Sequence, residues 1–421
     1  MTTTVTLGSA PAARRVNHLG LAAFWFGLYF LYTPIGTSLI AVQVSNLVPN
    51  HLQLAAQGLL LGTGAFFAMT VAPLVGAYSD RLTTRWGRRR PIIVVSTIGT
   101  VASLLISLAA VNYPMLVLGY CSVQLFANAA GAAYSGLIPD VVPHEEFGIA
   151  SGWLSVMVLV GSAAGLLVNV AFAATGHSTG TYLAIALVLL LTMIPTLRAA
   201  RGEGLVPVPP RPRRPRGEAI RAFLAPLRRG DFAWVVGTRA VNNVGIAAVT
   251  PFTFFFFRDV VGVSNPDLFN PIWYLVVLVF AGPFGYLGGK LSDRWGRKRF
   301  VYWSGGLQAA VAFFFIIFYP KGVGIVLLLG AVYGVGYGLY TAVDWALACD
   351  TLPDPNDTAK DMGLFHVALT LPGNIVPAIA GGILAVVNAG GGTQGYRLVF
   401  GGAAICFVLC AVLVRNVRSV R

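Results

Sequence analysis

The sequence predicts an all-α polytopic membrane protein with twelve transmembrane helices in two pseudo-symmetric six-helix bundles. The first observation behind this prediction is composition: 56% of the 421 residues are hydrophobic and only 10% are charged. A mean hydropathy of +0.75 is far too high for a soluble domain. The second observation is a series of apolar runs long enough to cross a bilayer core, which needs about 20 residues per helix. The third is a pair of charged motifs that each occur twice.

The apolar runs number twelve and fill most of the chain. Short segments of alternating hydrophobicity, which would indicate the strands of a membrane barrel, do not occur between them. The predicted spans are residues 19–44, 53–79, 91–111, 113–139, 148–174, 181–197, 232–257, 271–289, 300–319, 322–349, 362–388 and 396–414.

Arginine clusters predict the orientation of these spans. Cytoplasmic loops collect Lys and Arg, and with twelve spans every cluster in this chain falls on one side. The clusters precede span 1, separate spans 2 and 3, 6 and 7, and 8 and 9, and follow span 12. We therefore expect a multi-pass protein of the cell membrane, a bacterial-type inner membrane, with both termini cytoplasmic. Topology and attraction to anionic membrane lipids account for the net charge of +14, so we expect no nucleic-acid partner.

The same pattern divides the chain into five regions. Two helical bundles are joined by a linker rich in Pro and Arg, and each end carries a short basic tail. The predicted boundaries are a tail at 1–18, a bundle at 19–197, a cytoplasmic linker at 198–230, a second bundle at 231–414 and a tail at 415–421.

The charged motifs show that the second bundle repeats the first. "GAYSDRLTTRWGRRRP" begins at residue 76, and "GGKLSDRWGRKRF" begins at residue 288. A second pair, "LIPDVVPHEE" at 137–146 and "LACDTLPDPN" at 347–356, recurs at a spacing of 210 residues. Internal duplication of this kind is typical of secondary transporters, which bind substrate between the two repeats near the membrane midplane.

The duplicated loop resembles the signature loop of the major facilitator superfamily. Its stretched first copy, together with "YFLYTPIG" in span 1 and "YSGLIPDVVPHEE" after span 4, is most similar to the sucrose-transporter and related sugar–cation symporter branch, the glycoside-pentoside-hexuronide-like carriers. The resemblance implies the major facilitator fold, transport by alternating access rather than enzymatic catalysis, a sugar or other small-molecule substrate, and a monomer. It implies no cofactor.

By resemblance, the two loops form the gates. Asp80 and Asp293 would accept hydrogen bonds from a helix start in the other half, so that the contact forms in one access state and breaks in the other. The alternative is that the arginines only fix the topology at the membrane interface. The candidate gating residues are Gly76, Asp80, Arg81, Gly87, Arg88, Gly289, Asp293, Arg294, Gly296 and Arg297.

Two charged residues lie deep within apolar runs, where a charge costs roughly 2.5–3.5 kcal/mol or more and therefore pairs or faces water. Asp344 is the embedded acid and Arg239 is its expected partner. Arg239, Asn242 and Asn243 share one helix face, and a tyrosine stripe leads to Asp344 on another helix. Tyrosine rings stack on the apolar faces of sugars, while amides and acids bind the hydroxyls. The candidate cavity residues are Tyr29, Tyr134, Arg239, Asn242, Asn243, Tyr337, Tyr340 and Asp344. Ordinary helix packing and a gating role for Asp344 are the competing interpretations.

Departures from the related carriers favour a proton as the coupling ion. Melibiose-type carriers hold their cation with acids on helices 2 and 4, but helix 2 has none here and Gly131 occupies the helix 4 position. Ser135 stands where sucrose carriers have an arginine. We therefore predict no metal site and assign proton coupling to Asp344, with uncoupled facilitation as an alternative.

Two other functional classes compete with sugar uptake: an exporter of the same fold, and a membrane enzyme or receptor. A proton-coupled exporter of drugs or metabolites with the same fold would use an acid and a large aromatic cavity, which Asp344 and the tyrosine stripe allow. A membrane enzyme or receptor would need a catalytic motif or a soluble domain, and the sequence has no HExxH motif, no Gly-rich nucleotide loop and no long loop domain. Transport of a sugar or glycoside into the cell is the favoured prediction.

Overall fold

A computed structural model describes residues 16–79, 82, 84–143, 146–203, 221, 224–228, 230–353 and 358–420. Twelve helices in this part of the chain are long and apolar enough to cross a membrane, as the sequence predicts. The first six are α1 (His18–Leu47), α2 (Gln53–Ser79), α3 (Arg90–Leu108), α4 (Tyr113–Val141), α5 (Phe147–Ala174) and α6 (Thr181–Ala199). The second six are α7 (Gly230–Val261), α8 (Pro266–Trp295), α9 (Arg297–Phe318), α10 (Val323–Asp350), α11 (Thr358–Val387) and α12 (Gln394–Leu413).

Helices α1 and α7 are both interrupted at a Thr-Pro dipeptide. In α1, Pro34 ends the first α-helical segment and a π-helical turn follows over Ile35–Leu39. In α7, a 3₁₀ turn over Thr250–Phe252 contains Pro251. Proline removes a backbone donor and clashes with the preceding turn, which explains both interruptions.

The helix ends and the loops that join them lie at two opposite ends of the molecule. The arginine-rich end carries the α2–α3 and α8–α9 loops, the start of α1 and the end of α12; the opposite end carries the loops between α1 and α2 and between α7 and α8. Most of the predicted 198–230 linker and the tail before residue 16 lie outside the described residues. The predicted region boundaries and the cytoplasmic location of the arginine-rich end therefore stay predictions.

The two bundles pack against each other along α2 with α11 and along α5 with α8. At the α2–α11 contact, a Cβ added to Gly58 would lie 2.8 Å from the Cα of Gly381, so only glycine allows the backbones to approach this closely. Gly58 lies near the start of α2, at the opposite end of the molecule. A single hydrophobic core spans both bundles and includes Leu39 of α1 and Phe256 of α7. A separate core around Tyr340 belongs to the second bundle alone.

Candidate functional site

The centre of the candidate site is an ion pair between α7 and α10. An Arg239 Nη1 group donates to the Asp344 carboxylate, and the two side chains are only 11% and 5% exposed. The Tyr340 hydroxyl, one turn before Asp344 on α10, donates to the second carboxylate oxygen at 3.1 Å. The buried acid therefore has a charged and a neutral donor, as a charge inside a membrane requires.

The guanidinium of Arg239 also lies over an aromatic ring. Its Cζ atom is 3.9 Å from the ring centroid of Phe365 on α11, a distance at which the ring quadrupole attracts a cation. Phe365 itself is 1% exposed. The carboxylate, the hydroxyl and the ring come from two helices other than α7, so three helices of the second bundle hold Arg239 in place.

Tyrosines from both bundles lie next to this pair. Tyr337 of α10 is within electrostatic range of Arg239, and Tyr29 of α1 is within range of Tyr337. Tyr29 contacts Tyr32 at 6.2 Å between ring centroids, and a Cβ on Gly131 of α4 would be 3.8 Å from the Tyr32 hydroxyl. Electrostatic interactions therefore link the aromatic stripes of α1 and α10 across the two bundles, and Tyr337 interacts in the same way with Arg239.

The two asparagines of α7 have different surroundings. Asn243 donates from Nδ2 to the Arg239 carbonyl at 2.8 Å. Asn242 is fully buried, and neither of its side-chain polar atoms has a hydrogen-bond partner among the described residues. An unpaired buried amide costs about 1–3 kcal/mol. Asn242 therefore offers a free donor and acceptor inside the second bundle, one helical turn from Arg239.

Tyr134 lies away from this group, inside the first bundle. It is 1% exposed, its hydroxyl donates to the Leu21 carbonyl at 2.8 Å, and its ring stacks on Trp25 at 5.3 Å.

Three polar side chains on α4, spaced one helical turn apart, are joined by hydrogen bonds. Gln124 donates to the Tyr120 hydroxyl at 2.7 Å, and Asn128 donates to Gln124 Oε1 at 3.0 Å. Gln124 is partly exposed and neutral, which suits a hydroxylated ligand.

Asn270 at the start of α8 joins the two interrupted helices. Its Nδ2 donates to the carbonyl of Thr37 in the π turn of α1 at 2.6 Å. Its Oδ1 accepts from the Thr253 hydroxyl, just after the 3₁₀ turn of α7, at 3.0 Å. Asn270 is fully buried. Together with a 2.7 Å bond from Arg258 to Gln53, this bridge closes the space between the bundles at the opposite end.

At the arginine-rich end, the two repeated motifs bind each other within each bundle. Arg88 donates from Nε to Asp140 at 3.0 Å, and Arg89 donates to the same carboxylate at 3.1 Å. In the second bundle, Arg297 donates to Asp350, the repeat counterpart of Asp140. These three arginines therefore connect their loops to the end of α4 or α10.

Of the two candidate gating acids, Asp80 and Asp293, only Asp293 lies within the described residues. Asp293 lies 3.2 Å from Arg297 of its own bundle, and its side chain is 64% exposed. Arg294 is also exposed. Asp80 and Arg81 lie outside the described residues. The gating roles of both acids stay predictions.

At one position of each repeated loop, the backbone conformation requires a glycine. Gly87 and Gly296 both have positive φ angles, 99° and 90°, a region that side chains with a Cβ rarely adopt. Gly76 and Gly289, in contrast, lie in the α2 and α8 helices with room for a Cβ.

Sequence reasoning missed Glu203, which lies just after α6. Its carboxylate accepts from the backbone N–H groups of Arg88 at 2.9 Å and Arg90 at 3.3 Å, at the start of α3. A carboxylate at a helix start is favoured by the helix dipole. Asp361, in the first turn of α11, was also missed and is fully buried. Both residues precede or follow predicted spans, and their burial depends on contacts between distant segments.

The comparisons with known proteins identify the family. The family model described as Major Facilitator Superfamily matches residues 18–373 and 272–420. The chain belongs to the major facilitator superfamily. Proton-associated sugar transporter A of Rattus norvegicus is 28% identical over 223 residues, a match that covers 48% of this chain and only 28% of that protein.

Solved structures of this superfamily share the fold. A bacterial homologue of the human lysosomal transporter Spinster, in an inward-facing and occupied conformation, is 17% identical with a TM-score of 0.68, covering 94% of this chain and 95% of that one. The nucleoside transporter NupG is 12% identical with a TM-score of 0.70, covering 95% of this chain and 98% of that one. The predicted fold, a major facilitator transporter with twelve membrane helices, is therefore confirmed.

Proposed function

We propose that this major facilitator transporter takes up a sugar or glycoside together with a proton by alternating access. The observation that carries the proposal is the buried group of Arg239, Asp344 and Tyr340, beside tyrosines contributed by both bundles. The partial match to a protein named as a proton-associated sugar transporter supports the same substrate and ion.

The chemistry of the pair explains how proton and sugar can be coupled. Protonation of Asp344 on its own leaves the Arg239 cation buried without its counter-charge, which costs several kcal/mol. A sugar hydroxyl can accept a hydrogen bond from the guanidinium, and the Phe365 ring already stabilises the cation from its other side. The sugar therefore favours protonation, and by linkage the proton favours the sugar.

The contacts between the bundles support an assignment of the access state. Asn270, Arg258 and the Gly58–Gly381 approach close the opposite end, while Asp293 is exposed at the arginine-rich end. With the arginine-rich end in the cytoplasm, as its charge favours, this conformation faces inward. Sugar and proton then leave toward the cytoplasm from this state.

Uptake into proteoliposomes tests the proposal. Labelled monosaccharides and disaccharides are supplied outside vesicles that are either acidified outside or kept at equal pH. We expect accumulation above the equilibrium level only with the pH gradient, and we expect Asp344→Asn to abolish that accumulation. Asp267→Asn, an acid at the start of α8 whose carboxylate is 3.4 Å from the Ser178 hydroxyl, is the matched control that keeps it.

Other outcomes identify the alternatives. Equilibration at the same rate with and without the gradient would indicate a facilitator. Failure of every sugar, combined with proton-driven expulsion of drug-like cations from vesicles, would indicate an exporter.

A further inference from the structure

A groove runs along the outer face of the second bundle, between α9 and α12, close to the arginine-rich end. Its volume is about 400 Å³. Its lining residues come from one helix face each: Tyr302 and Gly306 of α9, and Val408, Ala411, Val412 and Arg415 at the end of α12. It lies away from the site between the bundles.

Two adjacent glycines of α9 create this groove. A Cβ on Gly305 would lie 2.8 Å from the Phe407 carbonyl and 3.0 Å from the Ala411 side chain, so glycine lets α12 approach closely and form the floor. A Cβ on Gly306 would meet no atom within 4 Å. Gly306 therefore leaves open the space that a larger residue would fill.

The groove opens toward the surroundings of the protein rather than toward another helix. Val408 and Val412 are 41% and 45% exposed, and Tyr302, which also lines the groove, is 40% exposed. In a chain with twelve membrane spans, such apolar side chains face acyl chains. Tyr and Trp at the end of a span indicate the level of the lipid headgroups.

Both helices place an arginine at the headgroup end of the groove. Arg415 lies in the 3₁₀ turn Val414–Asn416 that follows α12 and lines the groove directly. Arg299 precedes Tyr302 by three residues on α9, so it shares the face that lines the groove. Both arginines are exposed. No acid is among the described residues that line the groove. A guanidinium binds a phosphate through paired hydrogen bonds.

We propose that this groove binds an anionic phospholipid. Its phosphate lies between Arg415 and Arg299, with the Tyr302 hydroxyl as a further donor. One acyl chain lies along Gly306, Val408 and Val412. The order of charge, aromatic ring and apolar floor along the groove matches the order of headgroup, interface and acyl chain in a phospholipid.

Native mass spectrometry of the purified full-length protein tests the proposal. The protein is mixed with equal amounts of phosphatidylglycerol and phosphatidylcholine of the same chain length, and retained lipid is counted. We expect the wild type to retain phosphatidylglycerol preferentially. Arg415→Gln should reduce that preference about fivefold, because a basic residue near an anionic lipid surface is worth about 1 kcal/mol. Gly306→Leu should reduce retention of phosphatidylglycerol itself by filling the groove.

Matched controls separate the groove from general effects. Gly402→Leu adds the same side chain at an exposed glycine of α12 that also has free space, and Arg418→Gln removes an exposed charge outside the groove lining. Both should keep the wild-type preference. Arg415 is exposed, so its replacement tests the proposal even where Gly306→Leu lowers the melting temperature.

Three results would overturn the proposal. The first is an unchanged lipid preference in Arg415→Gln. The second is an equal loss of preference in the two control variants. The third is displacement of the lipid by millimolar inorganic phosphate, which would show a site for a free anion rather than for a phospholipid.

Discussion

The two bundles of this transporter share a scaffold but carry different chemistry at equivalent positions. Asp140 and Asp350 are repeat counterparts, and the residue six positions before each is Tyr134 in the first bundle and Asp344 in the second. Tyr134 binds the backbone of its own bundle and stacks on Trp25. Asp344 binds the Arg239 cation. Duplication therefore preserved the frame while placing the buried ion pair in one half.

At the arginine-rich end, in contrast, the two repeats have kept equivalent contacts. Arg88 and Arg297 contact the counterpart acids Asp140 and Asp350. This likeness teaches that the parts expected to move together retain the repeat, whereas the parts proposed to bind substrate diverge. The second bundle is the half in which a change of charge has the largest consequence.

The largest effect on transport is expected when the two divergent positions, Asp344 and Tyr134, are each replaced by a residue of similar shape and the two variants are compared. Asp344→Asn should reduce accumulation driven by a pH gradient by more than tenfold, while exchange of labelled for unlabelled sugar persists, because the titratable group is lost and the shape is kept. Tyr134→Phe, which removes only a hydroxyl bound to a carbonyl, should retain most of the accumulation. Both activities are measured per folded protein in proteoliposomes.

Equal loss of accumulation in the two variants would show that the charged position is not special. Full accumulation by Asp344→Asn would make the carboxylate structural.

The next effect concerns stability of the second bundle. Removing one partner of a buried ion pair costs about 3–5 kcal/mol, whereas removing both often costs much less. Arg239→Gln and Asp344→Asn alone should each lower the melting temperature, and the double variant should recover part of the loss. Thermal unfolding in detergent followed by size-exclusion chromatography measures this. Additive losses in the double variant would contradict a pairwise interaction.

A smaller effect is expected where the bundles meet. Asn270→Leu removes two hydrogen bonds that join α1 and α7 at the opposite end, together worth about 1–3 kcal/mol. The equilibrium should shift by about 5–150-fold toward the outward-facing state. A cysteine at Thr33 should then react faster with a maleimide added from outside in Asn270→Leu than in the wild-type background. An unchanged rate would mean that packing alone keeps this end closed.

The smallest difference is expected between the two similar loops. Arg88 and Asp140 are 18% and 11% exposed, while Arg297 and Asp350 are 20% and 36% exposed. Arg88→Gln should cost about 1–3 kcal/mol, since it removes hydrogen bonds to a largely buried charge. Arg297→Gln should cost below about 1 kcal/mol, as exposed ion pairs do. Melting temperatures of the two variants provide the comparison, and a larger loss in Arg297→Gln would reverse it.

The sequence predicted the fold well because hydrophobic length alone determines a membrane span. Each of the twelve apolar runs corresponds to a helix, with ends that differ by a few residues. The partners Arg239 and Asp344 were predictable because a buried charge in an apolar run needs an opposite one, and the chain offers few. Phe365, Asn270 and Glu203 were not predictable, because a ring, an amide and a loop acid give no periodic signal. Their roles depend on which distant backbone groups lie beside them.

Coupling through the single carboxyl of Asp344 also limits how much work the proposed cycle can do. A single Asp344 carries at most one proton, and a neutral sugar adds no charge, so each cycle moves one elementary charge across the membrane. One charge moved through 100 mV yields about 2.3 kcal/mol, which corresponds to about a 50-fold concentration ratio. One pH unit of gradient adds a further factor of about ten. In the proposed cycle, the buried pair thereby sets the electrical stoichiometry, and with it the steepest sugar gradient that the cycle can maintain.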